Sequence, residues 1–251
     1  MKKVKIFDAH LHIIDPRFPV AENHGYLPPA FTAPDYMRSV ENFNVSGGAI
    51  VSGSFQGFDQ SYLLDTLDML GERFVGVTQL PAGTSDEEIL SLHEKGVRAV
   101  RFNVKRGGSE TIERLDHFAR RIHDIAGWHA ELYIDSKDLV ELKDVISRLP
   151  AVSIDHLGLS KQGFPELLKL VEQGVKVKAT GFGRIDFDPS QAIRAIHELN
   201  PEALLFGTDL PSTRAKRVFQ AGDVTVIQEA LGDKEAEKVL YHNALQWYKI
   251  E

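Results

Sequence analysis

Short apolar runs and helical segments alternate eight times along the chain, and few folds satisfy that pattern. The runs, rich in Val, Ile, Leu and Phe, are VKIFDAHLHI (4–13), GGAIVSG (47–53), RFVGVTQL (73–80), GVRAVRFNV (96–104), HAELYID (129–135), AVSIDHLG (151–158), VKVKATG (175–181) and ALLFGTD (203–209). Between them lie segments with apolar residues three and four apart, such as DQSYLLDTLDML (59–70), ERLDHFARRIHDIAG (113–127) and GFPELLKLVEQG (163–174). SDEEILSLHEKG (85–96) and KDLVELKDVISRL (137–149) read the same way. In TSDEEIL, Ser85 or Asp86 stands at a helix start with acids in the first turn, and LHEKG stops on a glycine. Strands alternating with helices form a parallel sheet with crossover connections. Eight units in 251 residues is the size of a closed α/β barrel, the (β/α)8 TIM barrel. The rival is a doubly wound open sheet, but no glycine-rich phosphate loop follows the first strand. With no linker, low-complexity tract or shift in composition, residues 1–251 are expected to form a single domain.

Bulk composition narrows the partners. Lys plus Arg is 29 against 36 Asp plus Glu, a formal charge of -7, which argues against a nucleic-acid or anionic-membrane partner. A small anionic substrate stays open, because a local basic pocket can oppose the global sign. The absence of cysteine excludes disulfides, thiol catalysis and thiolate metal sites. Charges interrupt the N-terminal MKKVKIFDAH early, so it reads as no signal peptide, and no stretch reaches transmembrane length. The expectation is a cytoplasmic enzyme. Exposed barrel helices leave a homo-oligomer open.

The first run carries titratable residues at every second position. Side chains alternate along a strand, so Asp8, His10 and His12 are expected on one face, turned into the barrel, with Phe7, Ala9, Leu11 and Ile13 on the helix side. A solvated sheet face would read the same from this motif alone. Two further runs decide between these readings. Run six ends on Asp155 and His156, and run eight ends on Asp209 before Pro211. In a barrel, strands one, six and eight share the C-terminal rim, where such folds build their active sites. Three histidines and a carboxylate would converge there, and burying them without a task costs several kcal/mol, on the order of a few per group. Run four adds Arg101, with Lys105 and Arg106 just beyond it, a locally positive stretch in an acidic chain. Arginine is the natural bidentate partner of a carboxylate.

These residues carry a resemblance. D-x-H-x-H in run one, the histidine of IDHLG and the aspartate of GTDLP resemble the amidohydrolase superfamily. YLPPAFTAPDY, SGSFQGFDQSYLLD, GVRAVRFN and YHNALQWY resemble more closely the branch that holds 2-pyrone-4,6-dicarboxylate lactonase and related sugar lactonases. The likeness covers nearly the whole chain. It implies hydrolysis of a carboxylated lactone without an obligatory metal. It also implies Asp209 as the base for water, His10, His12 and His156 on the carbonyl oxygen, and Arg101 and Arg106 on substrate carboxylates. Ser54 resembles a substrate-contacting serine of the family.

Chemistry alone leaves the metal open. His10, His12 and Asp209 suit a divalent ion such as Zn²⁺ or Mn²⁺. Metal-dependent relatives usually add a histidine, or a bridging Lys or Glu, from strand four or five. Here His129 sits at the wrong end of run five, and run four offers Arg101 and Asn103. A metal-dependent amidohydrolase or decarboxylase built on the same residues is therefore the alternative enzyme, and a non-catalytic carboxylate-binding barrel is the third class. Tyr133 shares a face with Glu131 and Asp135 and is a candidate hydrogen-bond partner for the substrate. Arg184, after run seven, is a candidate third cation. Glu131 is an awkward companion for a doubly negative substrate.

Overall fold

The computed structural model describes residues 4–250. Among them, eight strands form one sheet in chain order: β1 (Lys5–Leu11), β2 (Asn44–Val51), β3 (Phe74–Thr78), β4 (Val97–Phe102), β5 (His129–Leu132), β6 (Val152–Ile154), β7 (Lys176–Ala179) and β8 (Leu204–Phe206). Each pairs in parallel with the next. The ring closes at the C-terminal rim, where Asp209 N donates to His10 O at 2.7 Å and His12 N to Leu210 O at 2.8 Å. The architecture is the (β/α)8 barrel that the alternation predicts.

Helices α1 (Ala33–Ser39), α2 (Ser61–Leu70), α3 (Asp86–Glu94), α4 (Leu115–Ala126), α5 (Leu139–Ile146), α6 (Phe164–Glu172), α7 (Pro189–Leu199) and α8 (Ala221–Leu231) follow the strands in turn. The chain ends in α9 (Asp233–Glu237), one π turn and α10 (Asn243–Tyr248). Local sequence accounts for these helices. Ser85 caps α3 by accepting from Glu88 N at 3.2 Å, with Asp86, Glu87 and Glu88 in the positive first turn. In α4, Leu115, Phe118, Ala119 and Ile122 make the buried stripe, and Gly127, at φ 66°, stops the helix in the left-handed conformation. Against such stripes the outward residues of the strands, among them Ile50, Phe102, Leu132 and Phe206, are fully buried. Each contributes about 1.5–3 kcal/mol relative to exposure. None of the described helices is long and apolar enough to cross a membrane.

The first strand departs from simple alternation. Asp8 pairs with Gly48 but Leu11 pairs with Ile50, so three steps on β1 oppose two on β2. This bulge resets the faces. Leu11 and Ile13 pack toward the helices as expected, whereas Phe7 and Ala9 turn inward. Phe7 stacks on Tyr248 at 5.7 Å, and the Tyr248 hydroxyl donates to Ala9 O at 3.4 Å, so α10 plugs the barrel floor. Asp8 turns away from the interior, correcting the expectation that it shares a face with His10 and His12. It accepts from the Tyr36 hydroxyl of α1 at 3.0 Å, from Thr208 N at 2.8 Å and from the Thr208 hydroxyl at 2.6 Å. Asp8 therefore ties β1 to the rim after β8. Burial pushes its carboxyl up to about 6, against the pull of these hydrogen bonds. Gly207 completes the junction. A Cβ there would lie 2.7 Å from the Cβ and the backbone nitrogen of His10, so only glycine lets the end of β8 pass this close to β1.

Candidate active site

The bulge and the closing hydrogen bonds set His10 and His12 beside Asp209. The His10 Nε2 and Asp209 Oδ1 atoms are 3.9 Å apart, and His12 Nε2 lies 3.6 Å from the same oxygen. The end of β6 adds His156, whose ring stands 4.9 Å from that of His10 and 5.1 Å from Tyr133. His156 and Asp209 both have left-handed backbones, at φ 53° and 60°. Outside glycine that conformation costs about 1–2 kcal/mol per residue and persists where surrounding contacts over-determine it. For Asp209 those contacts are its backbone bond to His10 and a side-chain bond from Arg184 Nε to Oδ2 at 2.6 Å.

Three hydrogen-bonded ion pairs fill the interior below this rim, and Arg101 Nε also lies 3.8 Å from Glu131 Oε1. Arg101 of β4 donates to Asp155 through Nη2 at 2.7 Å and through Nε at 3.3 Å, and its Nη1 donates to Ser52 O at 2.9 Å. Lys178 of β7 donates to Glu131 of β5. Arg184 holds Asp209. Lys178 thus supplies the counter-charge for Glu131 that the sequence reading lacked. All three carboxylates are fully buried. Their protonation follows from their partners. Burial pushes Asp209 up, but Arg184 outweighs it and holds the carboxyl well below the usual range. Burial also disfavours charge on His156, which falls to about 3, and pulls His10 well below its ordinary value. At neutral pH both imidazoles are therefore uncharged, and Arg184 is the cation that keeps Asp209 ionised. Arg101, the charged partner, holds Asp155 low against burial. Glu131 is pushed up to about 7 by burial and by the charge of Asp155, against Lys178 and Arg101.

Above this floor is a cavity of about 30 Å³. Of the residues singled out from sequence, His12, Ser54, Arg101, Arg106, Tyr133, His156 and Arg184 line it. His10 and Asp209 lie beneath, with no solvent exposure. The nine are brought together, each in a definite state. Ser54 donates to Asn23 Oδ1 at 3.1 Å, in the long loop after β1. Arg106 takes Asn23 Nδ2 and His24 Nε2 on its carbonyl, at 3.2 and 3.1 Å. Arg101 and Arg184 are committed to Asp155 and Asp209. Lys178, Thr213 and Arg214 were not anticipated. Lys178 left a signal, a lysine flanked by Val177 and Ala179 in a strand otherwise suited to burial. The loop residues Thr213 and Arg214 left none.

The donor set fits a divalent cation. His10 Nε2, His12 Nε2 and Asp209 Oδ1 converge within 4.8 Å of one another, and two of these atoms, His10 Nε2 and Asp209 Oδ1, have no hydrogen-bond partner. His12 Nδ1 lies 2.7 Å from Val51 O. A carbonyl only accepts, so Nδ1 carries the proton, and in the neutral ring Nε2 presents its lone pair toward Asp209. His10, Asp155 and His156 form a second convergent group.

The chain is similar to several known proteins. The chain is 29% identical over 237 residues to a 2-pyrone-4,6-dicarboxylate hydrolase of Comamonas testosteroni, covering 83% of this chain and 77% of that one. It is 28% identical over 244 residues to a 4-sulfomuconolactone hydrolase of Rhizobium radiobacter, covering 87% and 80%. The crystal structure of a probable 2-pyrone-4,6-dicarboxylic acid hydrolase from Acinetobacter baumannii, with citric acid bound, superposes with a TM-score of 0.83 at 22% identity, over 98% of this chain and 99% of that one. That likeness is one of fold. The sequence profile of the amidohydrolase family matches residues 7–250, and the chain belongs to that family.

Proposed function

We propose that the protein hydrolyses a cyclic carboxylic ester bearing at least one carboxylate. Relatives named for lactone hydrolysis support the reaction class. The observation that carries the reading is an ionised, buried Asp209 set among three imidazoles under an arginine-lined cavity. In this reading Asp209 Oδ1, free of hydrogen bonds, takes a proton from water as the water oxygen bonds to the lactone carbonyl carbon. Arg184 on Oδ2 fixes the direction of the carboxylate. The carbonyl oxygen gains negative charge and is held by the imidazole N–H groups. With the His12 Nδ1–H given to Val51 O, His10 and His156 are the imidazoles left to donate there. The ring C–O bond then breaks, and the leaving oxygen takes the proton back from Asp209. One water is consumed and one ring opened. Arg106, whose guanidinium pairs with no carboxylate among the described residues, is the free fork for a substrate carboxylate. Arg101, Arg184, Tyr133 and Ser54 border the same space.

The lone pair that His12 turns toward Asp209 favours a second reading, in which His10, His12 and Asp209 hold a divalent ion. Such an ion would supply Lewis-acid polarisation and a more acidic water. Turnover of a lactone panel by metal-stripped and by Zn²⁺- or Mn²⁺-supplemented protein separates the two. The panel pairs 2-pyrone-4,6-dicarboxylate and aldaric-acid lactones with their methyl esters. Stripped protein is expected to open the carboxylated lactones at least tenfold faster than the esters. Ring opening only with added metal selects the second reading, and equal rates on acids and esters would remove the carboxylate from the proposal.

A further inference from the structure

The inner cavity, at about 30 Å³, has room for roughly two water-sized groups. A lactone carbonyl and its water fit there, but the body of a ring does not. A second chamber of about 240 Å³ adjoins it, sharing Arg106, Tyr133, Arg184 and Arg214 and adding Lys105, Lys216 and two aspartates among its walls. The charges of this outer chamber are unevenly satisfied. Lys105 is paired with Asp135 at 2.8 Å, and Arg184 with Asp209. Asp186 accepts from Lys161 N at 2.7 Å. Arg214 and Lys216 pair with no carboxylate among the described residues. Arg214 is instead held in place by neutral groups. It donates to Asn23 Oδ1 at 3.2 Å and to Asn23 O, and it stacks over the Tyr26 ring at 4.5 Å. Burial, and then repulsion from Arg106, lower Arg214 from its ordinary value. In a chain of formal charge -7 this is a local inversion of sign.

We propose that Arg214 and Lys216 determine specificity, reading a second anionic group on the substrate, carried in the outer chamber by the part of the molecule remote from the scissile carbonyl. The inference rests on the lactone-hydrolase reading for the identity of the scissile group, but its binding test does not. Full-length wild-type protein is titrated calorimetrically with benzoate and with isophthalate, one and two carboxylates on the same ring. Isophthalate is expected to bind at least tenfold more tightly, and Lys216→Met and Arg214→Gln are each expected to cut that preference about tenfold. Lys216 is exposed, so its variant keeps the test available if Arg214→Gln fails to fold. Equal affinity of wild type for both probes, or equal loss of both in Lys216→Met, overturns the proposal. If the preference is present and lost in the variant while no lactone is turned over, the subsite stands and the lactone reading falls. If lactones are opened with no preference for the second carboxylate, the reverse holds.

Discussion

Asp209→Asn is expected to lower kcat/KM for a carboxylated lactone by about a thousandfold, the range seen when a positioned general base is removed. The fall should lie mainly in kcat, because Asp209 sits beneath the cavity rather than on its wall. The same substitution has a signature in stability. The folded-state pKa of Asp209 is depressed, so its ionisation stabilises the fold above the unfolded value of about 3.9, and that contribution is lost as pH falls below it. In the variant the contribution is absent at every pH. Between about pH 5 and pH 2 its unfolding free energy should therefore lose up to about 1.4 kcal/mol less per pH unit than wild type. Steady-state kinetics and urea unfolding at a series of pH values check both parts. Unchanged kcat on every substrate the wild type opens would remove Asp209 from the mechanism.

Arg101→Met should be among the most destabilising single changes in the barrel. It removes the guanidinium that donates twice to Asp155 Oδ2, and Asp155 is fully buried and held ionised. Leaving a buried charge without its partner costs about 3–5 kcal/mol. For a chain of this size that corresponds to a fall in Tm of roughly 6–20 °C. Lys178→Met should cost less, although its ion pair is equally buried. Glu131 is already pushed up to about 7, so it can take a proton near neutral pH and shed the charge that Lys178 leaves uncovered. Thermal unfolding of both variants at pH 7 tests the ranking. A larger loss in Lys178→Met would mean that Glu131, rather than Asp155, is the committed anion of the interior.

Much of this was legible in the sequence because strand and helix impose different apolar periods, and the chain keeps them apart through eight units. Placement of His156 and Asp209 followed from the barrel rule that strands present their C-terminal ends to one rim. The bulge in β1 was not legible. Alternation along β1 depends on its register with β2, and nothing in IFDAHLHI marks the extra residue between Asp8 and Leu11. For that reason Asp8 was expected on the face of His10 and His12, and it proved to be the tie to Tyr36 and Thr208. Glu131 looked misplaced because its partner, Lys178, lies two strands away. Arg214 and Lys216 could not be found at all, since their position depends on the path of the loop after β8 rather than on any periodic pattern.

The most direct measurement is the ring opening, in oxygen-18 water, of the lactone that the wild-type protein turns over fastest, with the product analysed by mass spectrometry. A ring-opened acid carrying one oxygen-18 in the newly formed carboxylate is expected, because water attacks the carbonyl carbon and the acyl–oxygen bond breaks. A product with no added oxygen, or a lactone merely isomerised, would contradict hydrolysis at this site.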